Sequence, residues 1–120
     1  MILGGRLRVA VDIVDEREIE KLSRNPRALR RTFTDRELAE CAARGEDRIA
    51  ALARRFAVKE ALMKACGEPA GVPARIEIVH DPSGAPKARW DYLSKNGLEA
   101  EVSASSSAGL AVAVAVVCSP

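Results

Sequence analysis

Strict alternation opens this chain. Leu7, Val9, Val11 and Ile13 alternate with Arg8, Ala10 and Asp12, the period-two pattern of a half-buried strand whose second face ends in an acid. From Asp15 to Glu20 the chain is acidic, as a helix N-terminus prefers. Lys21 to Arg31 then carries five bases (Lys21, Arg24, Arg27, Arg30, Arg31) and no acid, interrupted by Pro26. Thr34-Asp35-Arg36-Glu37 is a capping box that starts a second helix, and Gly45 breaks it. A long helix follows from Ile49 to Ala65, stopped by Gly67 and Pro69.

Beyond that helix the period shortens again. Arg75–Val79 and Pro86–Trp90 flank the turn Asp81-Pro82-Ser83-Gly84 and read as a hairpin. Glu99–Ser103 reads as a further strand. Gly109–Cys118 reads as the last, alternating Ala and Val as if both faces were covered. Its small Ala face would let a helix or another backbone approach closely. No repeat, linker or low-complexity stretch marks a second domain, so residues 1–120 read as one domain. The predicted class is α+β: an antiparallel sheet packed on one long helix, with shorter helices.

Composition trims the choices. Among 120 residues only four are aromatic, so the core must be built of Ala, Val, Leu and Ile. A net charge of +2 is too small to argue for nucleic acid. A module binding nucleic acid through its basic helix also lacks aromatic support. The three cysteines, Cys41, Cys66 and Cys118, share no metal-ligand spacing and fit a reducing cytoplasm. No charged n-region followed by an apolar stretch opens the chain, and the apolar run Leu110–Cys118 is far too short to span a bilayer. These features predict a cytoplasmic protein with no membrane partner.

One residue of the long helix breaks its pattern. Ile49, Ala53, Phe56, Glu60 and Met63 share a stripe of the helical wheel. A carboxylate in an apolar stripe loses hydration and needs a partner, either a cation or a metal. Lys64 lies one turn on, placed to pair with Glu60 or to reach an anion. An ordinary surface Glu–Lys pair is the simpler explanation of that spacing, but Glu60 is on the wrong face for it. Asp12, at the end of the first strand, is the second acid of interest.

Taken together, five segments carry a resemblance. They are Val11-Asp12-Ile13-Val14, Phe33-Thr34-Asp35-Arg36-Glu37-Leu38, and Ala53 to Ala65 with its core Phe56-Ala57-Val58-Lys59-Glu60-Ala61-Leu62-Met63-Lys64. Ile76-Glu77-Ile78 with Asp81 and Gly84, and Val102-Ser103, complete the set. In this order they resemble holo-acyl-carrier-protein synthases, the small 4′-phosphopantetheinyl transferases, over nearly the whole chain.

The resemblance implies an enzyme that moves the phosphopantetheine arm of coenzyme A onto a serine of apo acyl carrier protein, releasing adenosine 3′,5′-bisphosphate. It implies the fold of that family and a homotrimer with active sites at subunit interfaces. It implies Mg²⁺ held by Asp12 and Glu60, with Glu60 or water taking the serine proton and Lys64 assisting. Lys59 and Lys64 would face the phosphates or hold Glu60, Arg55 would reach the nucleotide end, and Gly67, Ser103, Ser105 and Ser106 would complete the coenzyme A contacts. Arg17, Lys21, Arg24 and Arg31 would dock the acidic carrier; a solvated helix face is the plainer account of that run.

Three departures accompany the matches. Ser106 stands where the family pattern has a histidine, and the chain's single histidine, His80, lies at the end of the hairpin strand as if incidental. Glu18 replaces a carrier-contacting arginine. Gly67-Glu68-Pro69 replaces a Gly-x-Gly that lets backbone approach phosphate. The losses point to a transferase dedicated to one pathway's carrier, in fatty-acid or polyketide metabolism. The alternative is the same fold repurposed, acting on a carrier or coenzyme A thioester by other chemistry or as a non-catalytic binder. In that alternative Cys66 is the nucleophile to test, against its plainer role as a small buried apolar residue.

Overall fold

A computed structural model of the chain describes residues 6–67 and 71–120. Its elements follow in the order β1 (Arg6–Asp15), α1 (Glu16–Ser23), α2 (Pro26–Thr32), α3 (Asp35–Ala42), α4 (Arg48–Cys66), β2 (Glu77–His80), β3 (Pro86–Arg89), α5 (Asp91–Lys95), β4 (Glu99–Ser107) and β5 (Leu110–Ser119). Residues 1–5, at which a targeting segment would begin, and Glu68 and Pro69 of the altered glycine motif lie outside the described residues.

Local chemistry explains the helix boundaries. Asp15 caps α1 by accepting from the Arg17 amide at 2.9 Å. Asn25 caps α2, accepting from the amides of Arg27 and Ala28; Pro26 occupies the first turn, where its missing N–H costs nothing. The basic run is therefore split between two helices. Thr34 and Glu37 form both halves of the capping box at α3. Gly67 ends α4 at φ 68°, a left-handed conformation that glycine adopts without a Cβ penalty.

The expected single sheet is two sheets. β1, β5 and β4 form an antiparallel sheet in that order, and β2–β3 is a separate hairpin. β4 runs to Ser107, beyond the expected end at Ser103, because Ala104–Ser107 pair in register with Ala113–Leu110 of β5. Ala108 and Gly109 join the two strands with φ 51° and 79°, the positive values that a two-residue hairpin turn requires.

The face that packs is the one with the smaller side chains. Ala111, Ala113, Ala115 and Val117 of β5 are buried, with Ala51, Val58, Ala61, Leu62 and Ala65 of α4 in the same core cluster. Alanines on both surfaces let helix and sheet approach closely. In register beside β5, Ala10, Asp12 and Val14 of β1 point the same way. The larger set, Leu7, Val9, Val11 and Ile13, is exposed, as are Leu110 and Val112. The expectation of a last strand covered on both faces thus holds for one face only within a single chain. Among the described residues no helix is long and apolar enough to cross a membrane.

Candidate active site

Asp12 reaches α4 because it lies on the packed face of β1, opposite Ala113, whose side chain leaves room. Lys64 donates to Asp12 Oδ1 and to the Val11 carbonyl, each at 3.0 Å. Glu60 is half-buried one turn earlier on the same helix. Burial pushes its carboxyl above the ordinary glutamate range, the nearby Asp12 charge adds to the rise, and Lys64 opposes it. Two carboxylates and an ammonium from distant parts of the chain therefore form one electrostatic group. Lys64 serves Asp12.

Lys59 does not join that group. Its ammonium is wholly buried, 2.6 Å from Glu37 Oε1 and 2.8 Å from the Thr32 carbonyl. It lies 5.0 Å from the centroid of the Phe33 ring. The expectation that Lys59 faces phosphates or holds Glu60 is corrected: burial and Glu37 occupy it. Glu37, which the sequence marks only as a helix cap, also accepts from the amides of Thr34 and Ile78 at 2.9 and 2.8 Å. It ties α3, α4 and β2 together.

Earlier along α4, a pocket of about 250 Å³ opens between that helix, the β2–β3 hairpin and β4. Arg44, Arg54, Arg55 and His80 line it, with Gly84 and Pro86 of the hairpin. Arg55 is buried, bonded to Glu40 at 3.2 Å and to Cys41 Sγ at 3.0 Å, while its Nε has no partner among the described residues. Arg54 donates to Ser106 Oγ at 2.7 Å. Ser106 therefore faces this pocket's side of β4. Ser103 and Ser105 are paired with Val114 and Val112 on the opposite, open face, so the three serines do not form one group within a chain. His80, which seemed incidental, lines the pocket because the hairpin folds back over α4; no local signal announces that contact.

The residues expected to dock a carrier lie on α1, α2 and the link between them. Arg17, Lys21, Arg24 and Arg31 are exposed. Arg17 is engaged by Asp15 at 2.7 Å, and that hydrogen-bonded guanidinium holds the Asp15 carboxyl down to about 2. Arg24 meets Glu20 at 3.8 Å. Cys66 is half-buried, and burial pushes its thiol up, which disfavours the nucleophilic thiolate. Gly67 is exposed at the end of α4.

The family model described as the 4′-phosphopantetheinyl transferase superfamily matches residues 8–115. The chain belongs to that superfamily and is an enzyme of the transferase class. Within it, the chain is 39% identical over 99 residues to the holo-[acyl-carrier-protein] synthase of Anaeromyxobacter sp. (strain K), covering 78% of this chain and 73% of that one. Among solved structures it resembles the holo-[acyl-carrier-protein] synthase of Neisseria meningitidis, with TM-score 0.81, 28% identity and coverage of 92% and 96%. A synthase from Bacillus anthracis in complex with CoA (3′,5′-ADP) superposes with TM-score 0.81 at 28% identity, covering 94% of this chain and 96% of that one.

Proposed function

We propose that this enzyme transfers the 4′-phosphopantetheine arm of coenzyme A to a serine of an acyl carrier protein, with Mg²⁺ held by Asp12 and Glu60. The observation that carries the reading is the layout of α4. An arginine-lined pocket begins at Arg54 and Arg55, and the acid pair lies at Glu60. Six residues at 1.5 Å each separate Arg54 from Glu60 by roughly 9 Å along the helix axis. One nucleotide 5′-pyrophosphate can bridge such a span, its ribose phosphate in the pocket and its pyrophosphate at the acids.

The residues suit Mg²⁺ by their donor chemistry. Carboxylates from β1 and α4 act on one another, and burial together with the Asp12 charge raises the Glu60 carboxyl, an unfavourable balance that a divalent cation relieves. Among the described residues no third acid, histidine or cysteine joins them. Mg²⁺ habitually accepts one or two carboxylates and fills its remaining positions with water and phosphate oxygens. When bound, it neutralises charge on the transferred phosphoryl group.

The chain's own groups supply the rest. Glu60, or a water beside it, takes the proton from the carrier serine hydroxyl. The serine oxygen forms a bond to the phosphorus that bears the pantetheine arm. The bond from that phosphorus to the nucleotide breaks, and adenosine 3′,5′-bisphosphate leaves. Lys64, adjacent to Asp12, supplies positive charge for the departing phosphate. Arg44, Arg54 and Arg55 hold the nucleotide end.

Carrier docking falls mainly to Arg24, Arg27, Arg30 and Arg31, since α1 itself carries Glu16, Glu18 and Glu20. That charge pattern favours a pathway-dedicated carrier. The open apolar face of β1 and β5 supports a homotrimer that buries it, bringing Ser103 and Ser105 to the subunit interface.

Mass spectrometry of apo acyl carrier proteins incubated with enzyme, coenzyme A and Mg²⁺ tests the reading. A gain of one phosphopantetheine mass, lost with chelator, is expected. Intact apo carrier throughout a panel of fatty-acid and polyketide carriers would overturn it.

A further inference from the structure

The pocket at Arg54 and Arg55 has an uneven balance of charge. Arg55 has a carboxylate partner in Glu40, and Arg44 has one in Asp47. Among the described residues Arg54 has only the neutral Ser106 hydroxyl. The fourth polar lining group is His80, the sole histidine of the chain. At about 250 Å³ the pocket lies just below the roughly 300 Å³ at which ligand sites of ordinary size begin. It suits the phosphorylated end of a nucleotide rather than a whole coenzyme A.

An imidazole in such company changes charge with occupancy. Burial and the guanidinium groups of Arg55, Arg44 and Arg54 push the His80 imidazole below the ordinary histidine range, and Glu40 opposes them. Cys41, beside Arg55, stays a neutral thiol because burial pushes it up. Without an anion among them, these groups disfavour the protonated ring. A dianionic phosphate among the same groups reverses the balance, because an opposite charge close by favours the protonated ring.

We propose that His80 is a proton-linked phosphate contact: it takes up a proton from solvent as the nucleotide phosphate enters, and so makes nucleotide affinity depend on pH. This rests on the reading of the pocket as the site of the nucleotide end of coenzyme A. It assigns to His80 a selective role, favouring donors with a phosphate in this pocket over otherwise similar pantetheine donors without one.

Because there is one histidine, its ring proton gives one resolvable NMR signal to follow against pH. Free protein should titrate below 6.5. Saturating adenosine 3′,5′-bisphosphate should raise the midpoint by about one unit, equivalent to a tenfold change in proton affinity and, by reciprocity, in nucleotide affinity. His80→Gln should raise the KM for coenzyme A several-fold at pH 6 relative to wild type, with kcat held, and should match wild type at pH 8. Titration of the phosphate itself is common to both proteins and cancels in that ratio. If α4 amide signals respond to the nucleotide while the His80 midpoint stays fixed, or if both proteins share one pH profile, the proposal fails and the pocket assignment stands. If no signal responds to the nucleotide, the pocket assignment falls and the proposal falls with it.

Discussion

Lys59 and Lys64 sit five residues apart on α4, and their surroundings give them different work. Lys64 is half exposed and shares its ammonium between Asp12 and a carbonyl. Lys59 has no exposure and is matched to an equally buried Glu37. Burial pushes the Lys59 ammonium down and the Glu37 charge opposes that. Breaking one side of such a pair leaves a buried charge without its counterion, at a cost of about 3–5 kcal/mol. Lys59→Met should lose that much in urea unfolding. Glu37→Leu should lose more, because the amides of Thr34 and Ile78 lose their acceptor as well. Losses within about 0.5 kcal/mol, typical of plain surface substitutions, would show that the pair does not hold α3 and β2 to α4.

At the scale of elements, α1 and α2 divide the basic run unequally. The acids of α1 offset Arg17, Lys21 and Arg24, whereas α2 carries Arg27, Arg30 and Arg31 with no acid. Arg24→Glu with Arg31→Glu should cut carrier association at least tenfold and leave the KM for coenzyme A unchanged, measured in steady-state kinetics with each substrate varied. The effect should fade with salt, since exposed charges are screened beyond about 8 Å at physiological ionic strength. Equal losses for both substrates would assign the run to the fold instead. The capping box, the Gly67 stop and the extent of α4 were legible in the sequence, because each depends on neighbours within a few residues; the stripe through Ile49, Phe56 and Glu60 is not the core face, which Ala51, Leu52, Val58 and Leu62 form instead. α5 was not legible; five residues carry too little period to read. His80 and Glu37 were missed as site and clamp because their partners lie far along the chain.

Among the described residues, the outer face of β1 and β5 is apolar and uncovered. Alternation in β1 announced two faces but could not say which one meets α4. The alanines of β5 decided it, since close approach of the helix outweighed the larger side chains of the other face. Val9, Val11 and Ile13 remain 58%, 53% and 66% exposed, adjoining Val112, Val114 and Val116 in register. Sedimentation should give a species about three times the 12.9 kDa chain mass. Val11→Lys, at the middle of that face, should give monomers whose transfer activity falls with the loss of assembly. A wild-type protein that sediments as a monomer at micromolar concentration would contradict the trimer.

The acid pair is the centre of the account, and calorimetric titration of Mg²⁺ into protein saturated with adenosine 3′,5′-bisphosphate tests it most directly. Wild type should bind one Mg²⁺ per chain. Asp12→Asn and Glu60→Gln should each weaken that binding at least tenfold, while exposed Glu18→Gln on α1 leaves it unchanged. Mg²⁺ binding of wild-type strength in both acid variants would contradict the assignment of Asp12 and Glu60 as the metal's protein ligands.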